Sequence, residues 1–144
     1  MLLDVFNRAL ARSFAALWFV GFLISETAAI IAFRRVGSGA SLPFVIPAIF
    51  LFALSLWTMW RHPLALAVGT VLSALQIVGA IGCAIELHAG ISGMKVAELQ
   101  GLRVDPYVGV EVNLLYSLVG SVLFFWAAIR FARLRAGAGR RSRM

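Results

Sequence analysis

Four stretches of about twenty residues carry almost no charge, and they constrain the fold of this chain more than any other feature. They cover residues 13–33, 42–60, 63–85 and 108–129. Because a helix rises about 1.5 Å per residue, each stretch is close to the ~20 residues that cross ~30 Å of hydrocarbon. The sequence therefore predicts an all-α polytopic membrane protein, an antiparallel bundle of four transmembrane helices.

Composition narrows the class of protein further. Of the 144 residues, 62% are apolar and 13% are charged, whereas soluble domains average about 45–50% apolar and about 25% charged residues. The single cysteine, Cys83, excludes an intrachain disulfide and a cysteine-based zinc site. The sequence has neither a Gly-rich phosphate loop nor a His pair at metal-ligand spacing. We therefore expect an integral membrane protein with no cofactor and no metal.

Basic residues are distributed unevenly between the two ends of the predicted helices. Nine lie on the side that carries both termini: Arg8, Arg12, Arg61, Arg130, Arg133, Arg135, Arg140, Arg141 and Arg143. Four lie on the other side: Arg34, Arg35, Lys95 and Arg103. Because cytoplasmic loops carry the excess of Lys and Arg, both termini are predicted to be cytoplasmic. The net charge of +7 is thus interpreted as contact with membrane lipids and not with nucleic acid.

Two further segments flank the apolar stretches. Residues 1–12 place apolar side chains on one helical face, which predicts an amphipathic segment in the membrane interface: Leu2, Leu3, Phe6 and Leu10. A cleaved signal peptide is the alternative, but the first long stretch carries Glu26 and lacks a small-x-small exit, which favours an uncleaved anchor. Residues 13–132 then form the transmembrane domain, and residues 133–144 form a basic cytoplasmic tail on anionic lipid. The tryptophans are predicted to form one cytoplasmic interfacial belt: Trp18, Trp57, Trp60 and Trp126.

Polar side chains occur at similar depths in three of the four predicted helices. Counted from the cytoplasmic ends, Gln76 lies ~19 Å deep, Glu26 and Tyr116 ~20 Å, and Asn113 ~24 Å. A polar group in hydrocarbon is expensive, so a functional role is the default interpretation. Glu26 is the candidate catalytic residue, because an unpaired carboxylate there takes up a proton or finds a partner. Gln76, Asn113 and Tyr116 are predicted to bind a ligand together with Ser73, one turn from Gln76.

Part of the third and fourth stretches resembles a known family. The residues that carry the resemblance are Arg61-His62-Pro63-Leu64, Ser73, Gln76-Ile77, Gly79, His88, Asn113 and Tyr116. Their pattern is similar to the emopamil-binding protein (EXPERA) family, which includes sterol double-bond isomerases. The resemblance implies four core helices with cytoplasmic termini and a sterol-like ligand inside the bundle, protonated at one alkene carbon and deprotonated at another.

Three functions remain open at this point. The first is binding of a hydrophobic, sterol-like ligand, with or without isomerisation, since Glu26 is the one candidate acid in the bundle. The second is a non-catalytic accessory subunit, whose stripes of small residues pack against a larger membrane partner. The third is a proton-coupled exporter of lipophilic cations that works as a dimer through Glu26. It resembles the small multidrug-resistance transporters, which also have four helices and a lone membrane Glu in the first.

Overall fold

The computed structural model describes residues 1–91, 93–101 and 104–141, and the backbone alone at positions 94, 98, 99, 101 and 141. Six helices make up the described chain: α1 (Leu2–Val5), α2 (Arg8–Arg35), α3 (Ser38–Met59), α4 (Pro63–Ala89), α5 (Gly93–Gly101) and α6 (Pro106–Arg141). Four of them, α2, α3, α4 and α6, are long and apolar enough to span a membrane. The predicted all-α polytopic membrane fold is confirmed.

Local chemistry explains where the long helices begin and end. The Asn7 side chain accepts a hydrogen bond from the backbone N–H of Leu10 at 2.9 Å and caps the start of α2. Gly37, with φ +125°, separates α2 from α3 in a conformation that favours glycine. Pro63 occupies the first position of α4. A backbone N–H at this position has no acceptor within the helix, so proline costs no hydrogen bond there. These signals produce two-residue and three-residue turns, so consecutive helices run antiparallel.

The four long helices form two closely packed pairs. In the first pair, α2 lies along α3, and the Ser55 hydroxyl donates to the Ala15 carbonyl at 2.8 Å. In the second, α4 lies along α6, with Gln76 facing Gly120 and Gly79 facing Ser117. The two pairs touch less extensively, where α2 meets α6 and where α3 meets α4. Open space remains between α2 and α6 on either side of their contact.

The first seven residues cross one end of the bundle, and we call Met1–Asn7 the strap. Arg61, in the α3–α4 turn, donates from Nε to the Phe6 carbonyl at 2.8 Å and from its terminal nitrogen to the Leu3 carbonyl. Arg130, on α6, donates to the Val5 carbonyl at 2.8 Å and to the Asp4 carbonyl at 3.2 Å. Both arginines thus satisfy carbonyls at the end of α1. We call this end the arginine end, and the opposite end, with Gly37 and α5, the loop end.

Two sequence-based expectations about the arginine end differ from the structure. The predicted amphipathic segment, residues 1–12, is divided between two helices, because α1 ends at Val5 and α2 begins at Arg8 after the Asn7 cap. Trp18 does not belong to a surface belt, since it is 1% exposed and packs in the core with Phe14. The other three tryptophans are exposed: Trp57, Trp60 and Trp126. The placement of both termini in the cytoplasm stays a prediction.

Candidate functional site

The polar side chains predicted to share one level fall into separate environments. Tyr116, on α6, reaches across to α2 and donates a hydrogen bond from its hydroxyl to the Leu17 carbonyl at 3.1 Å. Gly21 makes this approach feasible, because a Cβ at that position would lie 2.9 Å from the Tyr116 Cζ and 3.2 Å from the Leu51 Cδ1. A small residue here lets the two helices come together. The crossing of α2 and α6 therefore depends on glycine.

Gln76 lies beside this crossing, and its side-chain amide interacts with the Tyr116 hydroxyl. Its Oε1 atom is buried against Gly120 of α6 and has no hydrogen-bond partner among the described residues. We call Gly21, Gln76, Tyr116 and Gly120 together the seam. The seam brings two of the predicted site residues into contact, and the Gln76 Oε1 atom is enclosed by protein atoms. These side chains stabilise the contact between helices.

Ser73 lies one turn from Gln76 on the buried face of α4. It is fully buried, and its hydroxyl donates to the Thr70 carbonyl of its own helix at 2.9 Å. The predicted stripe of small residues on this helix face is buried as well: Gly69, Ala80 and Cys83. The indole of Trp18 packs directly over Gly69, where a Cβ would lie 3.2 Å from Nε1. The Ser73 hydroxyl is thus engaged within α4.

Glu26 lies on a different face of α2, away from the seam. It is partly buried and lines a shallow cleft of about 230 Å³ between α2 and α3, next to Ala29 and Ser41. Within the described ranges, no basic side chain forms an ion pair with its carboxylate. The structure does not bring Glu26 together with Gln76, Asn113 or Tyr116. A single polar cavity formed by all four residues is therefore absent from the described part of the chain.

Asn113 lies at the loop end of the space between α2 and α6. Its side chain is exposed and lines an open cleft of about 510 Å³ at the loop end. The cleft separates α2 from α6 at this level, so a side chain on the inner face of α6 meets space instead of a neighbouring helix. Lys95 of α5 lines the same cleft, and its ammonium forms an ion pair with Glu86 at 2.8 Å.

A second, apolar cavity of about 560 Å³ lies between the same two helices toward the arginine end. Its lining residues are Ser13, Ala16, Leu17, Val20, Ile24, Val112, Leu115, Tyr116, Val119 and Leu123. The loop-end cleft shares Ile24 and Val112 with this cavity, so the two are adjacent. We call the whole the α2–α6 groove. Small-molecule sites in proteins commonly measure about 300–1,000 Å³, and each part of the groove falls in this range.

The described residues contain no group of three or more His, Cys, Asp or Glu side chains arranged to hold a metal ion. Comparison with protein-family models, curated proteins and solved structures finds no match to this chain. The resemblance to the emopamil-binding protein family accordingly stays a prediction. The α2–α6 groove, with Tyr116 in its wall and Asn113 at its loop end, is the candidate functional site.

Proposed function

We propose that this small integral membrane protein binds a hydrophobic small molecule in the α2–α6 groove. The observation that carries the proposal is the apolar part of this groove, an opening of about 560 Å³ between two helices that elsewhere touch. It contains two of the predicted ligand-binding residues, Tyr116 and Asn113. The other two, Gln76 and Ser73, do not line it.

The physical environment decides how such a ligand would be held. A molecule that enters from the bilayer already lies in hydrocarbon, so its transfer to the groove gains little from the hydrophobic effect. Selective binding then depends on close van der Waals packing and on polar contacts that lipid tails lack. The groove supplies a fixed apolar wall formed by Leu17, Val20 and Val119, and a few polar groups at one end.

The geometry favours binding over catalysis. An isomerase needs an acid within hydrogen-bonding distance of the reacting carbon, and Glu26 opens on the α3 side of α2 instead of into the groove. The Tyr116 hydroxyl lines the groove but donates to Leu17. The sterol implied by the family resemblance fits this proposal as a bound molecule. Isomerisation through Glu26 would require a second substrate position, in the cleft between α2 and α3.

Photocrosslinking of the purified protein in lipid nanodiscs tests the proposal. Two clickable photoreactive probes, a sterol and a long-chain acyl lipid, would be irradiated with the wild type, with Val119→Trp and with Val122→Trp. Val119 lines the groove, whereas Val122 lies on the same helix, is 66% exposed and does not line the groove. We expect saturable capture on peptides from α2 and α6, greatly reduced by Val119→Trp and retained by Val122→Trp.

Other outcomes would contradict the proposal. Unsaturable labelling that both tryptophan variants leave unchanged would mean that the probes report only bulk lipid, and the accessory-subunit hypothesis would then be preferred. Capture confined to peptides around Glu26 and Ser41 would move the site to the α2–α3 cleft and favour the exporter hypothesis. Preference for the sterol over the acyl probe would support the family resemblance.

A further inference from the structure

The two ends of the α2–α6 groove differ in chemistry. Toward the arginine end the wall is hydrocarbon apart from the Ser13 and Tyr116 hydroxyls, and both hydroxyls donate to backbone carbonyls of α2. Toward the loop end the wall gains an amide, an ammonium and two hydroxyls: Asn113, Lys95, Ser25 and Thr27. A molecule that fills the whole groove therefore meets polar partners at one end only.

The Asn113 amide has an unmet need for hydrogen bonds. In the described part of the chain, no hydrogen bond involves its side chain, although it lies two turns inside α6. An amide that faces hydrocarbon without a partner is unfavourable. The carboxamide offers both a donor and an acceptor. A ligand head that can both accept and donate would relieve this cost.

The charges at the loop end determine the charge of that head. The Lys95 ammonium is 2.8 Å from the Glu86 carboxylate, and both side chains are partly buried. An anionic head close to Lys95 would also lie close to Glu86 and would be repelled by it, and a cationic head would meet Lys95. An uncharged hydroxyl can donate to a carboxylate and accept from an ammonium. The ion pair therefore favours a neutral head.

The length of the groove favours an extended chain. From Ser13 to Ile24, along the apolar part, α2 rises ~16 Å, and from Ile24 to Ile31 it rises a further ~10 Å. The full length approaches the ~30 Å thickness of the hydrocarbon core. An extended hydrocarbon chain fills such a length between two helices better than a compact ring system.

We infer that the ligand of the groove is a single-chain lipid with an uncharged, hydroxyl-bearing head, of which a monoacylglycerol is the simplest example. The head lies between Asn113 and the Lys95–Glu86 pair, and the chain runs past Ile24 and Val112 toward Ser13. This inference rests on the proposed binding function and adds the ligand class and its orientation.

Three photoreactive probes with one acyl chain and different ends test it: a monoacylglycerol, a fatty acid and an alkane without a polar head. In nanodiscs, we expect wild-type protein to capture the monoacylglycerol about three to ten times more efficiently than the other two, the range expected for one or two hydrogen bonds in a membrane. A photoreactive group at the chain end should label peptides near Ser13 and Leu123. One placed next to the head should label peptides near Ile31 and Val108.

Asn113→Leu supplies the matched variant, with Leu118→Asn as the control, since Leu118 lies on the same helix and does not line the groove. Asn113→Leu should abolish the preference for the monoacylglycerol while the alkane is still captured, and Leu118→Asn should preserve that preference. Equal capture of all three probes, reversed labelling positions, or a sterol captured where acyl probes are not would overturn this inference and leave the proposed function standing. Absence of groove labelling by every probe would overturn both.

Discussion

The same two helices, α2 and α6, meet in two contrasting ways. At the seam, Gly21 admits the ring of Tyr116, and the phenol reaches the backbone of α2. On the adjacent faces, Val20 and Ile24 of α2 stand opposite Val112 and Val119 of α6 across open space. Small residues permit close helix contact in a membrane, and branched side chains keep backbones apart. The one glycine of α2, with branched residues before and after it, thus produces both a tight contact and a groove.

The comparison also separates two kinds of polar residue that depth alone cannot distinguish. Gln76 is part of the seam, whereas Asn113 is exposed at the loop end of the groove. The Gln76 amide interacts with the Tyr116 hydroxyl, although its Oε1 accepts no hydrogen bond, and the Asn113 side chain has no hydrogen bond at all among the described residues. A polar residue inside a membrane protein is therefore informative about ligands when the fold leaves it without a partner.

Gly21→Ala is expected to have the largest effect on stability, because it adds a methyl group within the seam. The added methyl group meets a rigid aromatic ring and the Leu51 side chain, and such overpacking costs about 1–3 kcal/mol. Gly82→Ala is the matched control, since nothing lies within 4 Å of that position and the gain in helix propensity is the same. Thermal unfolding in detergent should show a clear loss of stability for Gly21→Ala alone. Equal stability of the two variants would mean that the seam does not hold α2 to α6.

Arg130→Gln should have an intermediate effect on stability, because it loosens the strap that joins the start of α2 to α6. Two hydrogen bonds to the Val5 and Asp4 carbonyls are lost or weakened, and at a partly exposed site we expect a loss of about 1 kcal/mol. Arg133→Gln, three residues further along α6 and exposed, removes a similar charge without touching the strap. Faster proteolysis within the first twelve residues of Arg130→Gln, but not of Arg133→Gln, would confirm the role of the strap. Identical proteolysis would contradict it.

Glu26→Gln should have the smallest effect on ligand capture. Its side chain faces the α2–α3 cleft and not the groove, and the substitution keeps the shape of the side chain. We expect probe capture within about twofold of the wild type, less than the loss of one interhelical hydrogen bond would produce. A large fall in capture, or a loss of pH-dependent cation binding, would restore Glu26 as the central functional residue.

The sequence predicted the parts of this fold that depend on length and periodicity. The four apolar stretches became α2, α3, α4 and α6. The three-four spacing of Gly69, Ser73, Gln76, Ala80 and Cys83 predicts one face of α4, and four of these residues are buried while Gln76 is partly buried. The rotation of each helix about its own axis could not be predicted in this way, because contacts with neighbouring helices determine it. Glu26 therefore faces α3, and Asn113 faces open space, although both were assigned the depth of Gln76.

The groove itself had no signature in the sequence. Its walls are formed by Val20, Ile24, Val112 and Val119, and the same residue types face lipid elsewhere on the bundle, as at Val71 and Val78 of α4. From the sequence, Lys95 contributed only to the count of basic residues that predicts the topology. Its position in the same cleft as Asn113 could not be predicted, because it depends on how α5 packs on α6. Three-dimensional packing, not composition, distinguishes a groove wall from a lipid-facing surface.

Methyl NMR of valine-labelled protein in detergent micelles would test the central claim most directly. Titration with a monoacylglycerol should shift the methyl signals of Val20, Val112 and Val119 saturably, because these residues line the groove. The signals of Val71, Val78 and Val122 should stay in place, because these exposed residues do not line it. Saturable, selective shifts are the result that we expect. Weak, unsaturable shifts of equal size at all six valines would mean that the groove holds no ligand and would contradict the account.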